Sequence, residues 1–189
     1  DEMYSYKTYV QRPHNTTIVY TTTDTISVSL PGHMFFSKLT YDFNRFDVSI
    51  TGSMISYDSV STQQFGLHAG VALPGKLNLY LKTSVYGLFD SSDNSRLIVS
   101  QTAGALLTPK LWIEGSVVLG NQKLFADHNG LYIYNSMDPT IFRGGLTAFY
   151  KIIPKTSLFF NYSFDKKLIE YNQTHYNQHS FSGGIIWKI

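Results

Sequence analysis

Hydrophobic and polar residues alternate with a period of two along most of the chain. In the segment from Lys76, one face carries Leu77, Leu79, Leu81, Thr83, Val85, Gly87 and Phe89, and the other carries Lys76, Asn78, Tyr80, Lys82, Ser84 and Tyr86. Successive strand side chains point to opposite faces, so this pattern predicts a strand with one oily and one wet side. The pattern recurs with Phe46, Val48, Ile50 and Met54, with Phe65, Leu67, Ala69 and Val71, and with Leu111, Ile113, Val117 and Leu119. It appears again with Phe142, Leu146, Ala148 and Tyr150, with Leu158, Phe160, Tyr162 and Phe164, and with Phe181, Ile185, Trp187 and Ile189. The segment Leu97 to Leu107 is less regular, because Gln101 falls among its apolar set. No segment shows a helical period.

The connections alternate as well. Short turns are predicted at Asn44-Arg45, Pro74-Gly75, Pro109-Lys110 and Pro154-Lys155, and longer polar loops at 58–62, 90–95, 121–140 and 171–177. Short turns at one end and long loops at the other are the habit of outer-membrane barrels. Counting back predicts nine strands from about His33. A tenth between Ile18 and Leu30 would make the number even, although a turn near Thr23-Asp24 competes with it. Residues 1–17 are expected as a periplasmic lead-in or an extra strand, and residues 18–189 as the barrel.

Composition favours the membrane form of such a sheet. Of 189 residues, 15% are charged and 15% aromatic, and no apolar run approaches the ~18 residues of a membrane helix. A soluble sheet would need a dry interior. Here the face opposite the apolar one is built from Gly, Ser, Thr, Asn, His and scattered charge, which suits a wetted lumen. Tyr41, Phe43, Phe46 and Trp187 lie at the turn end, and Tyr57, Phe89 and Phe142 at the loop end, where interfacial girdles are expected. The fold expected is therefore an all-β, antiparallel, up-and-down transmembrane β-barrel of about ten strands. The chain begins at Asp1 and shows no signal peptide. Two readings stay open, a removed signal or the C-terminal part of a larger barrel protein. Cysteine is absent, and the net charge of +2 gives no reason to expect nucleic acid.

The closing segment, in which Phe181, Gly183, Ile185, Trp187 and Ile189 share one face, resembles the terminal strand by which bacterial outer-membrane proteins are recognised for barrel assembly. That strand usually ends in Phe, whereas this one ends Trp187-Lys188-Ile189. The Asn- and Tyr-rich texture and the Gly-Gly-Ile-Ile-Trp-Lys-Ile ending resemble barrels of Bacteroidota. Asp58-Ser59-Val60 and Asp24-Thr25-Ile26 are similar to the sites those bacteria O-glycosylate. The resemblance implies the bacterial outer membrane as location, a periplasmic C-terminus, and outer-membrane lipid and the barrel-assembly machinery as partners.

The sequence holds no strong catalytic pattern. His179 cannot meet Ser180 or Ser182 within one strand, because their parity differs. A catalytic pair drawn from separate strands stays open. Asp127, His128 and Asp138 in the longest loop match no calcium-loop spacing, so neither metal nor cofactor is expected. His68, Lys82, Glu114, Arg143, Lys151 and Asp165 are expected to face the lumen. With Lys38, Lys76, Lys167 and Lys188 set against Asp42 and Asp47, the lumen carries a modest basic excess. These charges either line a narrow pore with mild anion preference or pair across strands and fill the interior. Tyr80, Tyr86, Trp112 and Phe149 also point inward, and a ring of about ten strands is narrow.

The first functional expectation is a non-catalytic barrel serving as membrane anchor or as a subunit of an outer-membrane complex. Tyr132, Tyr134 and Asn135 would offer a loop surface to another outer-membrane or periplasmic protein. A small-solute pore is the alternative, and a lipid-modifying barrel enzyme ranks below both.

Overall fold

In a computed structural model the chain divides into two units, Asp1–Gly32 and His33–Ile189. The structure describes residues 2–11, 17–26, 32–57, 60–91, 94–127, 132–134, 138–169 and 171–187. In the first unit, β1 (Glu2–Gln11) and β2 (Thr17–Ile26) form a two-stranded antiparallel sheet. Its register runs from Glu2 opposite Ile26 to Gln11 opposite Thr17. Thr23 and Asp24 are paired within it, so the turn considered at that point does not form.

The second unit begins within β3 (Gly32–Phe43), one residue into the strand, and continues with β4 (Phe46–Tyr57), β5 (Val60–Leu73), β6 (Leu79–Asp90), β7 (Ser95–Thr108) and β8 (Leu111–Leu119). Two short strands follow, β9 (Phe125–Asp127) and β10 (Tyr132–Tyr134), and then β11 (Thr140–Ile153), β12 (Thr156–Ile169) and β13 (Thr174–Trp187). Nine of these strands form one antiparallel sheet in up-and-down order, interrupted in sequence only by the β9–β10 ladder between β8 and β11. β3 and β13 stand at its edges. No helix occurs among the described residues.

The short turns fall where the sequence places them, with one adjustment. Asn44 takes a left-handed φ of 55°, which lets a two-residue turn join β3 to β4. At Pro109-Lys110 the Thr108 hydroxyl accepts the amides of Lys110 and Leu111, at 3.3 and 3.1 Å. The connection after Pro74 is wider than expected. Asn78 adopts φ 40° and its amide donates to the Gly75 carbonyl at 3.3 Å. Lys76 and Leu77 are drawn into this turn, and β6 starts at Leu79.

The faces of the sheet are inverted relative to a soluble protein. Ser49, Thr51, Ser53, Thr62, Gln64, His68 and Ser84 are buried. The apolar residues between them, Ile50, Phe65, Leu67, Leu81 and Val85 among others, are exposed. The pleat causes the alternation; the sheet's inner side collects the polar set and its outer side the apolar set. Gln101 does face outward with the apolar residues. It sits directly opposite Thr83, whose hydroxyl donates to its carbonyl oxygen at 2.6 Å.

The inner face turns apolar only near the loop end. Tyr86, Leu88, Ile98 and Val118 are buried there around Phe125, and Ile55 is buried with Leu124 and Ala126. The core of this unit is thus the patch where the β9–β10 ladder lies against the sheet.

Candidate functional site

The inner face of the sheet, roofed at its loop end by the β9–β10 hairpin, brings together most of the residues expected in the lumen. The roof is built from loop residues. Gly120 has φ 114°, and a side chain at that position would collide with the Leu97 carbonyl. This glycine lets the chain leave β8 close over β7. Gln122 then donates its backbone amide to Thr140 and accepts from Phe125, at 2.9 and 3.2 Å. Leu124 holds a φ of 50°, a costly conformation for a leucine, with its side chain buried against Ile55. Phe125 has no exposed surface; its ring meets Tyr86 edge-on at 4.9 Å and stacks with Tyr134 at 6.0 Å.

Polar contacts lock the roof to the wall. The Gln64 side chain on β5 donates to the Ala126 carbonyl at 2.9 Å and accepts the Ala126 amide at 3.0 Å. Arg96 at the start of β7 donates to the Lys123 carbonyl and to Asp90, both at 2.6 Å. Asp90 also accepts from Thr62 at 2.7 Å.

Below the roof two carboxylates, those of Asp165 and Glu114, have side-chain partners. Arg143 on β11 grips Asp165 on β12 through two bonds, Nε to Oδ1 at 2.6 Å and Nη2 to Oδ2 at 3.0 Å. These residues are directly opposite in the register. The guanidinium also lies 4.0 Å above the Tyr134 ring, an arrangement that favours Arg over Lys. Glu114 on β8 accepts from the Tyr80 hydroxyl on β6, across the intervening strand. That reach is possible because Gly104 lies between them; a Cβ there would strike the rings of Tyr80 and Trp112. Lys82 is half-buried opposite Gly70 and Thr102, and Lys151 is exposed at the turn end opposite Ser157.

His68 sits on the neighbouring wall, 3% exposed, bridging two hydroxyls. Its Nε2 is 3.0 Å from Thr51 Oγ1 and its Nδ1 is 2.8 Å from Ser84 Oγ. This is a serine–histidine contact between separate strands. Both ring nitrogens are engaged by hydroxyls, however, and Ser84 is itself 4% exposed. The geometry describes a satisfied buried histidine.

Tyr134, expected in a loop contact surface, is turned toward the sheet between Phe125 and Arg143. The Tyr132 side chain and Asn135 lie outside the described residues, as do His128, Lys188 and Ile189. Phe181, Ile185 and Trp187 are exposed along one face of the edge strand β13. No group of three acidic, histidine or cysteine side chains converges among the described residues.

Sequence reasoning missed the roof. The signal was present as two apolar triplets in the longest loop, Leu124-Phe125-Ala126 and Tyr132-Ile133-Tyr134. A matching run of apolar residues, Ile55, Leu88, Ile98 and Val118, falls on the otherwise polar face at the same end of the strands.

The fold and this inner face define a class, an all-β protein built on a nine-stranded up-and-down antiparallel sheet with a polar concealed side and an apolar open side. Compared with protein-family models, curated proteins and solved structures, the chain matches none.

Proposed function

We propose that the sheet is the wall of a bacterial outer-membrane β-barrel, a non-catalytic membrane anchor or complex subunit whose lumen is closed at the loop end. The observation that carries this reading is the inversion of the two faces. Exposed Phe, Leu, Ile and Val along strand after strand would drive aggregation in water, whereas lipid is their natural solvent. Strand length agrees. β4, β5 and β6 have 12, 14 and 12 residues. At ~3.3 Å per residue and a tilt of ~40°, 12 residues rise about 30 Å, enough for a ~25 Å apolar band. Direction agrees too. With nine alternating strands, β3 and β13 run the same way. One further strand between them gives a fully antiparallel closed ring with an even strand number.

The short turns then face the periplasm and the roofed end faces outward. The barrel-assembly machinery and neighbouring outer-membrane or periplasmic proteins are the partners this reading implies. Tryptophan quenching tests it. Trp187 is 75% exposed on the apolar face, and Trp112 lies on the inner face stacked on Tyr80 at 5.6 Å. In vesicles containing brominated lipid, fluorescence of the Trp112→Phe variant is expected to be quenched, and that of Trp187→Phe to be spared. Equal responses from folded protein refute the membrane reading.

The alternative reading, a small-solute pore, draws on the polar inner face below the roof, where Glu114, Arg143, Thr147 and Asp165 line a half-open cavity, with the hairpin acting as its gate. Persistent absence of single-channel conductance, with the hairpin intact or displaced, would remove it.

A further inference from the structure

The outer face of the nine-stranded sheet carries one charged side chain. Among the described strand residues of that sheet, the other Asp, Glu, Arg and Lys share the parity of the buried polar set, as Asp47, Lys82, Glu114 and Asp165 do. The exception is Lys166 on β12, which falls on the same side as Leu158, Phe160, Tyr162 and Phe164. Its ammonium has no ion-pair or hydrogen-bond partner among the described residues. By the same parity, no strand carboxylate stands on this face to meet it.

Height along the strand makes the lysine tolerable. Lys166 lies ten residues beyond Thr156, where β12 leaves its turn. At ~3.3 Å per residue and a tilt of ~40°, that is about 25 Å, the depth of the whole apolar band. In a bilayer the ammonium therefore stands at the level of the lipid headgroups on the roofed side.

Its neighbours add donors above and rings below. Asn177 on β13 is directly opposite Lys166, and His175 and His179 take the two diagonal positions. Diagonal neighbours of this kind lie within reach of a long side chain, at ~7–8 Å. All three are exposed. The Tyr162 hydroxyl is 2.9 Å from His179 Nδ1, and the Nε2 of that ring has no partner among the described residues. Phe142 flanks Lys166 on the other side. Beneath this row the rings are continuous: Phe142 meets Phe164 at 5.9 Å, Phe164 meets His179 at 5.2 Å, and Tyr162 meets Phe181 at 4.9 Å.

An ammonium, an amide and two imidazoles at headgroup level, above an aromatic shelf, match a phosphate that continues into acyl chains. A zwitterionic lipid brings its own cation, and this face has no strand carboxylate to receive it. We propose that this patch of β12 and β13 holds the phosphate of one anionic membrane lipid, with Lys166 and Asn177 donating to it, His175 and His179 beside it, and the acyl chains lying over Phe164 and Phe181. The proposal rests on the membrane reading of the outer face and adds the lipid class it selects.

The test uses the full chain in a non-ionic detergent. Phosphatidic acid or phosphatidylcholine with identical acyl chains is added, and retained lipid is counted by native mass spectrometry. One phosphatidic acid per chain is expected, held about tenfold more tightly than phosphatidylcholine. Lys166→Gln is expected to lose the preference and Lys166→Arg to keep it. Lys155→Gln, exposed at the opposite end of the sheet, should bind as the wild type does. Asn177→Leu, on the exposed edge strand, should weaken the preference several-fold, and it serves if Lys166→Gln does not fold. Equal retention of the two lipids, or equal losses in Lys166→Gln and Lys155→Gln, overturns the proposal and leaves Lys166 an ordinary interfacial lysine. A lipid-free dimer that Lys166→Gln abolishes assigns the patch to a second copy and overturns the lipid. Brominated-lipid quenching is recorded on the same protein in vesicles. Quenching without headgroup preference overturns this proposal alone, whereas folded protein that is not quenched overturns the membrane reading and the proposal with it.

Discussion

The Gln64 side chain pairs both backbone groups of Ala126 in the roof hairpin, which makes Gln64→Met a sharp perturbation. Gln64 is 1% exposed and Ala126 2%, and the two bonds between them, at 2.9 and 3.0 Å, satisfy both backbone groups of Ala126. Methionine preserves the length and bulk of the side chain but offers neither partner. The variant therefore leaves a buried N–H and a buried C=O unpaired in the closed state, at about 1–3 kcal/mol each. The closed hairpin loses about 2–6 kcal/mol relative to an open one in which water satisfies both groups. At 1.4 kcal/mol per decade, even the lower figure raises the open population about 30-fold. Backbone pairing in β5 is untouched, because Gln64 makes these bonds with its side chain.

Amide hydrogen exchange in detergent micelles reads the effect. Peptides covering 124–127 are expected to lose protection by about 30-fold or more. Peptides from the middle of β5 and β6 are expected to keep theirs. Gln63→Met, one residue away on the exposed face, is the control and should change neither. Unchanged protection of the Ala126 amide in Gln64→Met would refute the reasoning, because the hairpin would then be held by its apolar contacts alone.

Three other outcomes follow from the same geometry. Leu67→Arg, at the middle of β5 on a side chain 57% exposed, is expected to destabilise the protein by about 2–4 kcal/mol in a bilayer; a change within the ~0.5 kcal/mol typical of a soluble surface would contradict a lipid-facing wall. Arg143→Ala strands Asp165, whose side chain is 10% exposed, and is expected to cost about 3 kcal/mol by denaturant unfolding. Arg143→Lys should recover only part of that, since an ammonium cannot make the two-pronged contact, and full recovery would show that charge alone matters. Phe125→Ala removes the fully buried ring at the centre of the roof, with an expected cost of about 3–5 kcal/mol. It should raise planar-bilayer conductance above that of the wild type, and identical traces would mean that this hairpin does not close the lumen.

Much of the wall was legible because its determinants are local. The parity of Phe65 and Leu67 against Gln64 and His68 follows from the pleat of a single strand, and holds whatever the strand packs against. The short turns add the register. A turn at Pro154-Lys155 folds Arg143 back to Asp165, so their pairing was implicit in one of the two readings of the lumen charges, that in which they meet across strands. The extra residues consumed by the Pro74–Asn78 turn were not legible, because the left-handed φ of Asn78 depends on how two strand ends meet.

What only the tertiary structure decided lies in contacts between distant residues. Gln64 and Ala126 are 62 positions apart, and no periodicity links a strand residue to a loop residue. The inward fold of Leu124-Phe125-Ala126 depends on an apolar patch assembled from β4, β6, β7 and β8 together. Tyr80 reaches Glu114 only because Gly104, on the strand between them, leaves the space open. Alternation along one strand is set by its own backbone geometry and can be read residue by residue. The roof and the Tyr80–Glu114 contact come into being when separate strands and a long loop are brought to one face, and a pattern of period two carries no information about that meeting.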